Sequence, residues 1–261
     1  MIKIDSSNGG RGTFECENLA DLKNINPQVF DSAVLIQKKI IGQELDLSGF
    51  YHDGKLIFFT YSEIKKVSEN KFGPSVVRLY HQLGAIDKKI FLEMEQLGQA
   101  LGADGFVTIS CMESSEDKKR YFIEADMRPN SWVQFGKFFG DDPAKRISKW
   151  FLHQETPQYP SAINKKYPTQ LLMPYFYRML PTEILLNRYN VWKFLPIEDY
   201  KLVFHLLYTK SAIFLKMIKY IPTKLCRMIV RNKEHRIKIR TKFKEILQFF
   251  INKLYFFKKA V

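Results

Sequence analysis

The stretch Tyr121-Phe122-Ile123-Glu124-Ala125-Asp126-Met127-Arg128-Pro129 is an apolar run that ends with two carboxylates and a guanidinium at alternate positions. Residues two apart on an extended chain share a face, so we expect Glu124, Asp126 and Arg128 to point into one cleft. Phe122 is expected on the same side. Two carboxylates and a cation on one strand face suit phosphates bridged by magnesium, although the tripeptide alone would also fit a solvated strand end without a ligand.

The segments before this stretch predict an antiparallel arrangement. Residues 87–101 repeat apolar side chains at three- and four-residue spacing, which is typical of a helix with one buried face. Residues 106–112 are predicted to form a strand, and the polar turn at 113–118 connects that strand to the opening stretch. The two strands would therefore run antiparallel and present their side chains next to each other.

Shorter strands are predicted nearer the start of the chain. They cover residues 1–5, 13–16, 34–37, 43–50 and 56–61. Asp53-Gly54 predicts a hairpin turn between the last two, because this dipeptide supplies the positive φ angles that such a turn requires. Together the strands and helices predict an α+β fold with an antiparallel sheet.

The composition changes near residue 150. Residues 1–150 carry 20 Lys and Arg against 21 Asp and Glu, whereas residues 151–261 carry 21 against 6. The prolines between positions 157 and 196 predict short helical pieces, followed by an α-helical basic extension. We therefore predict a domain at 1–150 and a Pro-punctuated helical, basic and aromatic extension at 151–261.

Signals for export or membrane insertion are not found in the sequence. The start lacks the apolar core of a secretory signal, and no window has the roughly 20 uncharged apolar residues of a spanning helix. Cys16, Cys111 and Cys226 are too few and too scattered for a disulfide framework or a CxxC metal site. We expect a cytoplasmic protein.

Further signals near the start suit nucleotide phosphates. Lys3 precedes a glycine-rich loop, whose flexible backbone can turn its N–H groups toward an anion. The strand at 34–37 leads to Gly42-Gln43-Glu44, and the Glu-x-Asp-x-Arg stretch follows later. Each signal alone also fits an ordinary loop or strand. Their order along the chain, however, matches one family.

In this order the residues resemble the ATP-grasp superfamily, the carboxylate–amine and carboxylate–thiol ligases that include biotin carboxylase and D-alanine–D-alanine ligase. The likeness runs from Lys3 to about Pro129 and covers the C-terminal part of the ATP-grasp domain only. It implies a truncated ATP-grasp fold that binds ATP and Mg²⁺, and an ATP-dependent ligase if the chain is active. Such chemistry rests on positioning and charge neutralisation, so it needs no histidine base.

The resemblance implies phosphate and metal roles for matching residues. Lys3 would contact the inner phosphates, and Arg128 would approach the transferred phosphoryl group or the substrate carboxylate; both would be catalytic. Glu124 and Asp126 would bind magnesium. The outer phosphates would lie under the backbone of the glycine-rich loop, which consists of Asn8, Gly9, Gly10, Arg11 and Gly12.

The resemblance also implies an adenosine site. Gln37 would face the adenine amino group, and the backbone of Lys39 and Ile40 would contact the adenine edge. Glu44 would hold the ribose hydroxyls. These residues follow one another between the strand at 34–37 and the strand at 43–50.

The sequence departs from the family at three points. Ser110 stands where another metal carboxylate is usual, and serine binds magnesium poorly. Asp126 stands where Asn is common, although both offer an oxygen. Met1 lies two residues before the aligned lysine, so we expect the preceding part of the fold, with a further phosphate-binding lysine, to come from a separate N-terminal portion.

The end of the chain is strongly basic. Residues 201–261 carry 16 Lys and Arg against 2 Asp and Glu, with seven interleaved phenylalanines. Each basic residue near an anionic bilayer contributes roughly 1 kcal/mol, so we expect this segment to contact the inner face of the membrane or to pack on the domain as a helical cap. Nucleic acid is a weaker alternative, because no nucleic-acid fold motif accompanies the charge.

Three hypotheses for function remain open. The first is Mg²⁺-dependent ATP binding that serves a carboxylate–amine ligase acting through an acylphosphate, in cell-surface or small-metabolite biosynthesis. The second is a truncated, non-catalytic remnant or a subunit that needs a partner. The third is a peripheral membrane protein that works through its basic tail. The residues do not identify the carboxylate or the amine.

Overall fold

The computed structural model describes residues 1–5, 9–68, 71–153 and 162–194. The strands are β1 Ile2–Ile4, β2 Thr13–Phe14, β3 Val34–Ile36, β4 Gly42–His52, β5 Lys55–Val67, β6 Ser75–His81, β7 Gly105–Ser114, β8 Arg120–Asp126 and β9 Gln170–Pro174. The α-helices are α1 Leu19–Lys23, α2 Lys88–Leu101, α3 Pro143–His153 and α4 Pro181–Leu185. Short 3-10 segments lie at Pro27–Asp31, Leu83–Ala85, Val133–Phe139, Phe176–Arg178 and Arg188–Phe194. The predicted α+β class is confirmed.

A six-stranded antiparallel sheet is the largest element of the structure. Its strand order is β8-β7-β4-β5-β6-β9, with β4 and β5 in the centre. Along β4, Leu45 and Leu47 alternate with Asp46 and Ser48, all of them buried. Because successive side chains of a strand point to opposite faces, the sheet has one apolar and one polar face.

The apolar face packs against α2. Asp87 caps the start of this helix by accepting a hydrogen bond from the Lys89 N–H at 2.9 Å, and Gly102 ends it with a φ of 56°. Ile90 and Met94 are buried against the sheet. The predicted helix at 87–101 is therefore confirmed to within one residue.

The hairpin between β4 and β5 is also as predicted. Asp53 and Gly54 have φ angles of 48° and 74°, and His52 pairs directly with Lys55. Two consecutive residues with positive φ twist the turn in the sense that the flanking strands require. The predicted strand at 106–112 and its antiparallel pairing with the opening stretch are confirmed by β7 and β8.

A separate three-stranded antiparallel sheet, in the order β2-β1-β3, contains the start of the chain. Ile2 pairs with Phe14 and Ile36, and it is buried. Lys3, which pairs with Leu35, projects from the opposite face of the sheet.

The prediction of helical pieces beyond residue 150 is wrong for one segment, because Gln170–Pro174 forms β9 at the edge of the large sheet. Proline lacks a backbone N–H, so Pro174 is tolerated there, where only one side of the strand is paired. The strand beside it, β6, was not identified in the sequence. Helical turns do occur farther along, in α4 and at Arg188–Phe194.

By packing, the chain divides into Met1–Arg178 and Met179–Val261. Within the described part of the second unit, the Trp192 indole N–H donates to the Ile184 carbonyl at 2.7 Å. The basic segment 201–261 lies outside the described residues, and the boundary at 150 stays a prediction. None of the helices in the described ranges combines the length and apolarity needed to cross a membrane.

Gly98 in α2 provides a test of the apolar core. A Cβ at this position would lie 2.2 Å from the Tyr51 ring, which is buried and held by a 2.9 Å hydrogen bond from its hydroxyl to the Met94 carbonyl. We expect Gly98→Ala to lower the free energy of unfolding by about 1–3 kcal/mol, measured by urea denaturation. Gln96→Ala, on the exposed side of the same helix, is the matched control and should have almost no effect; equal stability of the two variants would contradict the packing.

Candidate functional site

The polar face of the large sheet carries two rows of side chains. Residues paired across neighbouring strands share a face, so the register aligns them. The first row contains Glu124, Ser110, Asp46, Ser62 and Tyr80. The second row contains Asp126, Thr108, Ser48 and Thr60. Carboxylates from β4 and β8 therefore face the same side of the sheet.

Glu124 and Asp126 lie together on this face, at the β8 edge. Phe122 does not, because the register shifts between Ser110 and Cys111 and sets Phe122 opposite Cys111, whose side chain belongs to the apolar core. The expectation that Phe122 lies beside the carboxylates is wrong. An inserted residue in the strand breaks the alternation on which that expectation depended.

Arg128 follows the end of β8, and its side chain is 78% exposed. Its Nε donates to both carboxylate oxygens of Asp126, at 3.0 and 2.9 Å. Exposed ion pairs of this kind contribute little to stability. The pairing nevertheless brings a cation and a carboxylate together at the predicted phosphate and metal site.

The pKa of Glu44 depends on several charged groups around the middle of the polar face. Burial raises the pKa of its carboxyl group, and the neighbouring Arg78 guanidinium opposes this rise. Asp46 and Glu124 raise the pKa further, whereas Lys3 lowers it. Lys3 belongs to the three-stranded sheet and Glu124 to β8, so residues far apart in sequence share one electrostatic neighbourhood.

The connection from β3 to β4 carries the residues predicted near adenine. The Gln37 N–H donates to the Met1 carbonyl, and the Met1 ammonium donates to the Gln37 carbonyl, both at 3.0 Å. The Lys39 ammonium pairs with Glu15, which follows β2. Ile40 is half-buried. These contacts hold the connection against the three-stranded sheet.

The glycine-rich loop reaches the segment that joins β5 to β6. Gly9 and Gly10 have φ angles of 59° and 74°. A Cβ at Gly10 would lie 1.9 Å from the Phe72 carbonyl oxygen, so this approach requires glycine.

The other loop residues differ in their surroundings. Arg11 is exposed. Gly12 is buried, and its carbonyl accepts a hydrogen bond from the Ile4 N–H at 3.0 Å. The predicted contact of Asn8 with phosphate lies outside the described residues.

Two groups in the floor of the polar face were missed in the sequence. Arg78 and Asp46 form a buried ion pair, with 2.7 Å between Arg78 Nη1 and Asp46 Oδ1. The N–H bonds of that nitrogen are not aligned on the carboxylate, so the contact is an ion pair by distance and not a hydrogen bond. The only signal in the sequence was one cation within an otherwise apolar run, Val76-Val77-Arg78-Leu79-Tyr80.

A loop after β8 covers part of this floor. Asn130 Nδ2 donates to the Thr108 hydroxyl at 3.0 Å and to the Ser48 hydroxyl at 3.3 Å. Its Oδ1 accepts from the Trp132 N–H at 2.8 Å. The centroid of the Trp132 ring lies 4.4 Å from the Arg78 guanidinium carbon. The loop is thus fixed to the sheet through side chains of the second row.

A cavity of about 170 Å³ lies beside the rows, and Thr60 and Tyr80 belong to its lining. The Arg146 Nε donates to Asp141 Oδ1 at 2.6 Å in its wall. Burial raises the pKa of Asp141, and Arg146 opposes that change. Gln82 Nε2, also in the lining, donates to three backbone carbonyls of residues 164–168. The side chains of Arg146, Asp141 and Gln82 in the cavity lining are therefore already bonded to other groups of the protein.

Metal binding would rely on few protein ligands. Within residues 1–5, 9–68, 71–153 and 162–194, no group of three or more His, Cys, Asp or Glu side chains is placed to hold an ion. Magnesium commonly uses one or two carboxylates together with phosphate and water oxygens. Glu124 and Asp126 fit that pattern, whereas burial raises the pKa of the Cys111 thiol to about 12 and makes it a poor ligand.

Comparison by sequence finds no matching family model and no matching curated protein. Comparison by structure finds N5-carboxyaminoimidazole synthetase from Staphylococcus aureus, solved with ADP, at 15% identity and a TM-score of 0.49; the match covers 75% of this chain and 49% of that one. The biotin carboxylase domain of Hydrogenobacter thermophilus 2-oxoglutarate carboxylase, solved with MgADP, ADP and bicarbonate, matches at 17% identity and a TM-score of 0.45, over 62% and 37% of the two chains.

A chain from Archaeoglobus fulgidus described as an ATP-grasp superfamily protein also matches, at 18% identity and a TM-score of 0.32, over 43% of this chain and 36% of that one. The chain thus spans less than half the length of each of these solved structures. The biotin carboxylase domain and the chain described as ATP-grasp are of the kinds that the sequence resembles, and here too the likeness is partial. Every identity is below 20% and every TM-score is below 0.5, so these matches do not establish an activity for this chain.

Proposed function

We propose that Met1–Arg178 forms part of an ATP-grasp nucleotide site, which binds MgATP between the three-stranded sheet and the polar face of the large sheet. The observation that carries this proposal is the pairing register, which puts the carboxylates of Glu44, Glu124 and Asp126 on one face of the large sheet. The influence of both Lys3 and Glu124 on the pKa of Glu44 agrees with this arrangement. A half-buried carboxylate, a cation and a second carboxylate at the sheet edge together match the uneven charge of a nucleotide bound to metal.

Phosphates and metal would lie toward β8. Glu124 and Asp126 would hold magnesium by carboxylate oxygens, and the ion would neutralise phosphate charge when bound. Lys3 would contact the inner phosphates, and the Gly9–Gly10 backbone would offer N–H groups to the outer ones. Arg128, now paired with Asp126, would be free to approach the phosphoryl group once the metal takes over that carboxylate.

Adenosine would lie toward the connection between β3 and β4. Glu44 would accept hydrogen bonds from the ribose hydroxyls as a carboxylate. Gln37, Lys39 and Ile40 would contact adenine through the side-chain amide and the backbone. The contacts of Gln37 with Met1 fix the near end of this connection, which favours a preformed adenine site over an induced one.

The reaction that suits such a site is a carboxylate–amine ligation. A substrate carboxylate oxygen attacks the γ-phosphorus of ATP, the bond to the β,γ-bridging oxygen breaks, and ADP leaves with an acylphosphate as the other product. An amine then attacks the acyl carbon, the acyl C–O bond breaks, and phosphate leaves as the amine loses a proton. Lys3 and Arg128 would stabilise the charge of the transferred group.

A non-catalytic subunit is the second candidate. Ser110 lies directly opposite Glu124, at the position where a further metal carboxylate would be expected. A site with fewer metal ligands would bind the nucleotide without catalysing phosphoryl transfer, which a partner with a full set of ligands would carry out. A separate N-terminal ATP-grasp portion would be the partner of such a subunit.

A peripheral membrane role is the third candidate, carried by the composition of residues 201–261. That segment has 16 basic and 2 acidic residues. We expect the full chain to sediment with vesicles that contain phosphatidylserine and not with pure phosphatidylcholine vesicles, and raising the salt to about 0.5 M should release it because salt screens the attraction. Sedimentation that does not depend on lipid charge or on salt concentration would contradict this role.

MgATP should stabilise the full chain. At 100 times its dissociation constant a ligand that binds only the folded state contributes about 2.7 kcal/mol, which corresponds to a melting temperature several degrees higher. Glu124→Gln should remove most of the rise, because it removes a carboxylate that neutralises magnesium. The measurement is differential scanning fluorimetry with ATP, with Mg²⁺ and with both.

Glu116→Gln is the matched control, because Glu116 is an exposed carboxylate in the turn before β8. It should keep the full effect of MgATP. A parent chain whose melting temperature does not respond to MgATP would sink the proposed nucleotide site.

Catalysis separates the first two candidates. An active ligase should release ADP from ATP only when a carboxylic acid and an amine are both present, and Arg128→Met should abolish the release while it keeps most of the stabilisation by MgATP. A coupled ADP assay over pools of carboxylic acids and amines is the measurement. Binding without any turnover, in a chain that MgATP stabilises, would favour the non-catalytic subunit.

A further inference from the structure

Arg78 occupies an unusual environment for a charged residue. It lies on β6 between apolar neighbours and is 6% exposed, and its side chain projects onto the polar face of the sheet. It reaches across β5 to Asp46 of β4. Its Nε donates to the Ser75 hydroxyl at 3.0 Å, and Trp132 covers the guanidinium plane.

A contribution to stability does not explain why this ion pair is buried. Taking two charges out of water costs several kcal/mol per ion, and apolar residues of similar volume often serve a fold equally well. The surrounding face supplies a different reason for the charge. Glu44, Asp46 and Glu124 are three carboxylates on this face, and Arg78 and Lys3 are the cations that act on Glu44.

The charges that act on Glu44 come from four elements. They are Asp46 on its own strand, Arg78 on β6, Glu124 on β8 and Lys3 on β1. The residue opposite Glu44 on β7 is Met112, which carries no charge. Of the two cations, Arg78 has the larger influence on the Glu44 carboxyl, and its geometry is fixed by Ser75, Asp46 and Trp132.

We propose that Arg78 is a positioning residue of the nucleotide site. Fixed by its ion pair with Asp46, which lies two residues from Glu44 on the same face of β4, Arg78 holds Glu44 as the carboxylate that accepts hydrogen bonds from the ribose. This inference rests on the proposed function and adds a residue outside the matched pattern. In this proposal Arg78 would touch neither nucleotide nor metal. It acts through the charge that it sets beneath Glu44.

The proposal predicts opposite effects from the two halves of the ion pair. Loss of Arg78 leaves Asp46 as an unbalanced anion beside Glu44, so Glu44 takes up a proton at higher pH and binding of MgATP fails earlier on acidification. Loss of the Asp46 charge leaves Arg78 unbalanced, so Glu44 stays ionised to lower pH. A group that only supports packing would weaken binding in both variants without moving the midpoint.

The experiment measures the dissociation constant of MgATP for the full chain by calorimetry from pH 4.5 to 8. In Arg78→Met, the pH at which affinity falls to half should rise by roughly one unit. In Asp46→Asn, this pH midpoint should fall. In the variant that carries both Arg78→Met and Asp46→Asn, the midpoint should return toward the parent value. Arg78→Lys keeps the charge and should stay close to the parent.

Arg120→Met is the matched control. Arg120 is also a largely buried arginine of this sheet, paired with Glu93 at 2.7 Å, but it lies among the residues of the opposite face. Its loss should leave the pH midpoint unchanged. If Arg78→Met does not fold, as judged by circular dichroism, Asp46→Asn and Arg78→Lys still test the direction of the shift.

The outcomes are distinct. A parent chain that does not bind MgATP at any pH overturns the proposed function itself. A parent that binds, with variants whose midpoints all coincide or move in the same direction, overturns the role of Arg78 alone. Opposite shifts that the double variant cancels support the proposal.

Discussion

The pairing register from β8 to β6 is the constraint on which both the core and the candidate site depend. Side chains alternate with a period of two, so Leu45 and Leu47 can pack under α2 only if Asp46 and Ser48 face the other way. A slip of one residue in β4 would bury the carboxylate against the helix and turn both leucines onto the polar face. The packing of the hydrophobic core therefore also determines which side chains lie on the polar face. The geometry of the candidate site thus depends on packing at the apolar face of the same sheet.

Local signals explain what could be predicted from the sequence. Asp87, the apolar spacing behind it and Gly102 define α2 within the helix itself, and Asp53-Gly54 defines its hairpin through two φ angles. The pairing of β7 with β8 follows from a short polar turn. In each case the determining contacts lie within about 15 residues, so they could be recognised without knowledge of the rest of the chain.

Contacts between distant segments explain what was missed. β9 joins the sheet only because β6 offers it a free edge, and neither strand has a strong pattern of its own. In the sequence, Asp46 is one polar residue of a half-buried strand, and only folding brings Arg78 of β6 across β5 to it. The inserted residue in β8 likewise follows from pairing with β7, and alternation alone could not locate it. The predicted roles of Lys3, Glu44 and Glu124 remain proposals, but their common surroundings arise only on folding.

The position of β8 at the sheet edge has a consequence for how long a ligand would stay. In the described part of the chain β8 has one neighbour, β7, and most of its side chains are exposed. Edge elements open locally at a lower free energy than the core. A group bound through Glu124 and Asp126 could therefore depart when one strand frays, while α2 and the central strands stay intact. Residence time at this site would be set by the fraying of a single strand rather than by the stability of the domain.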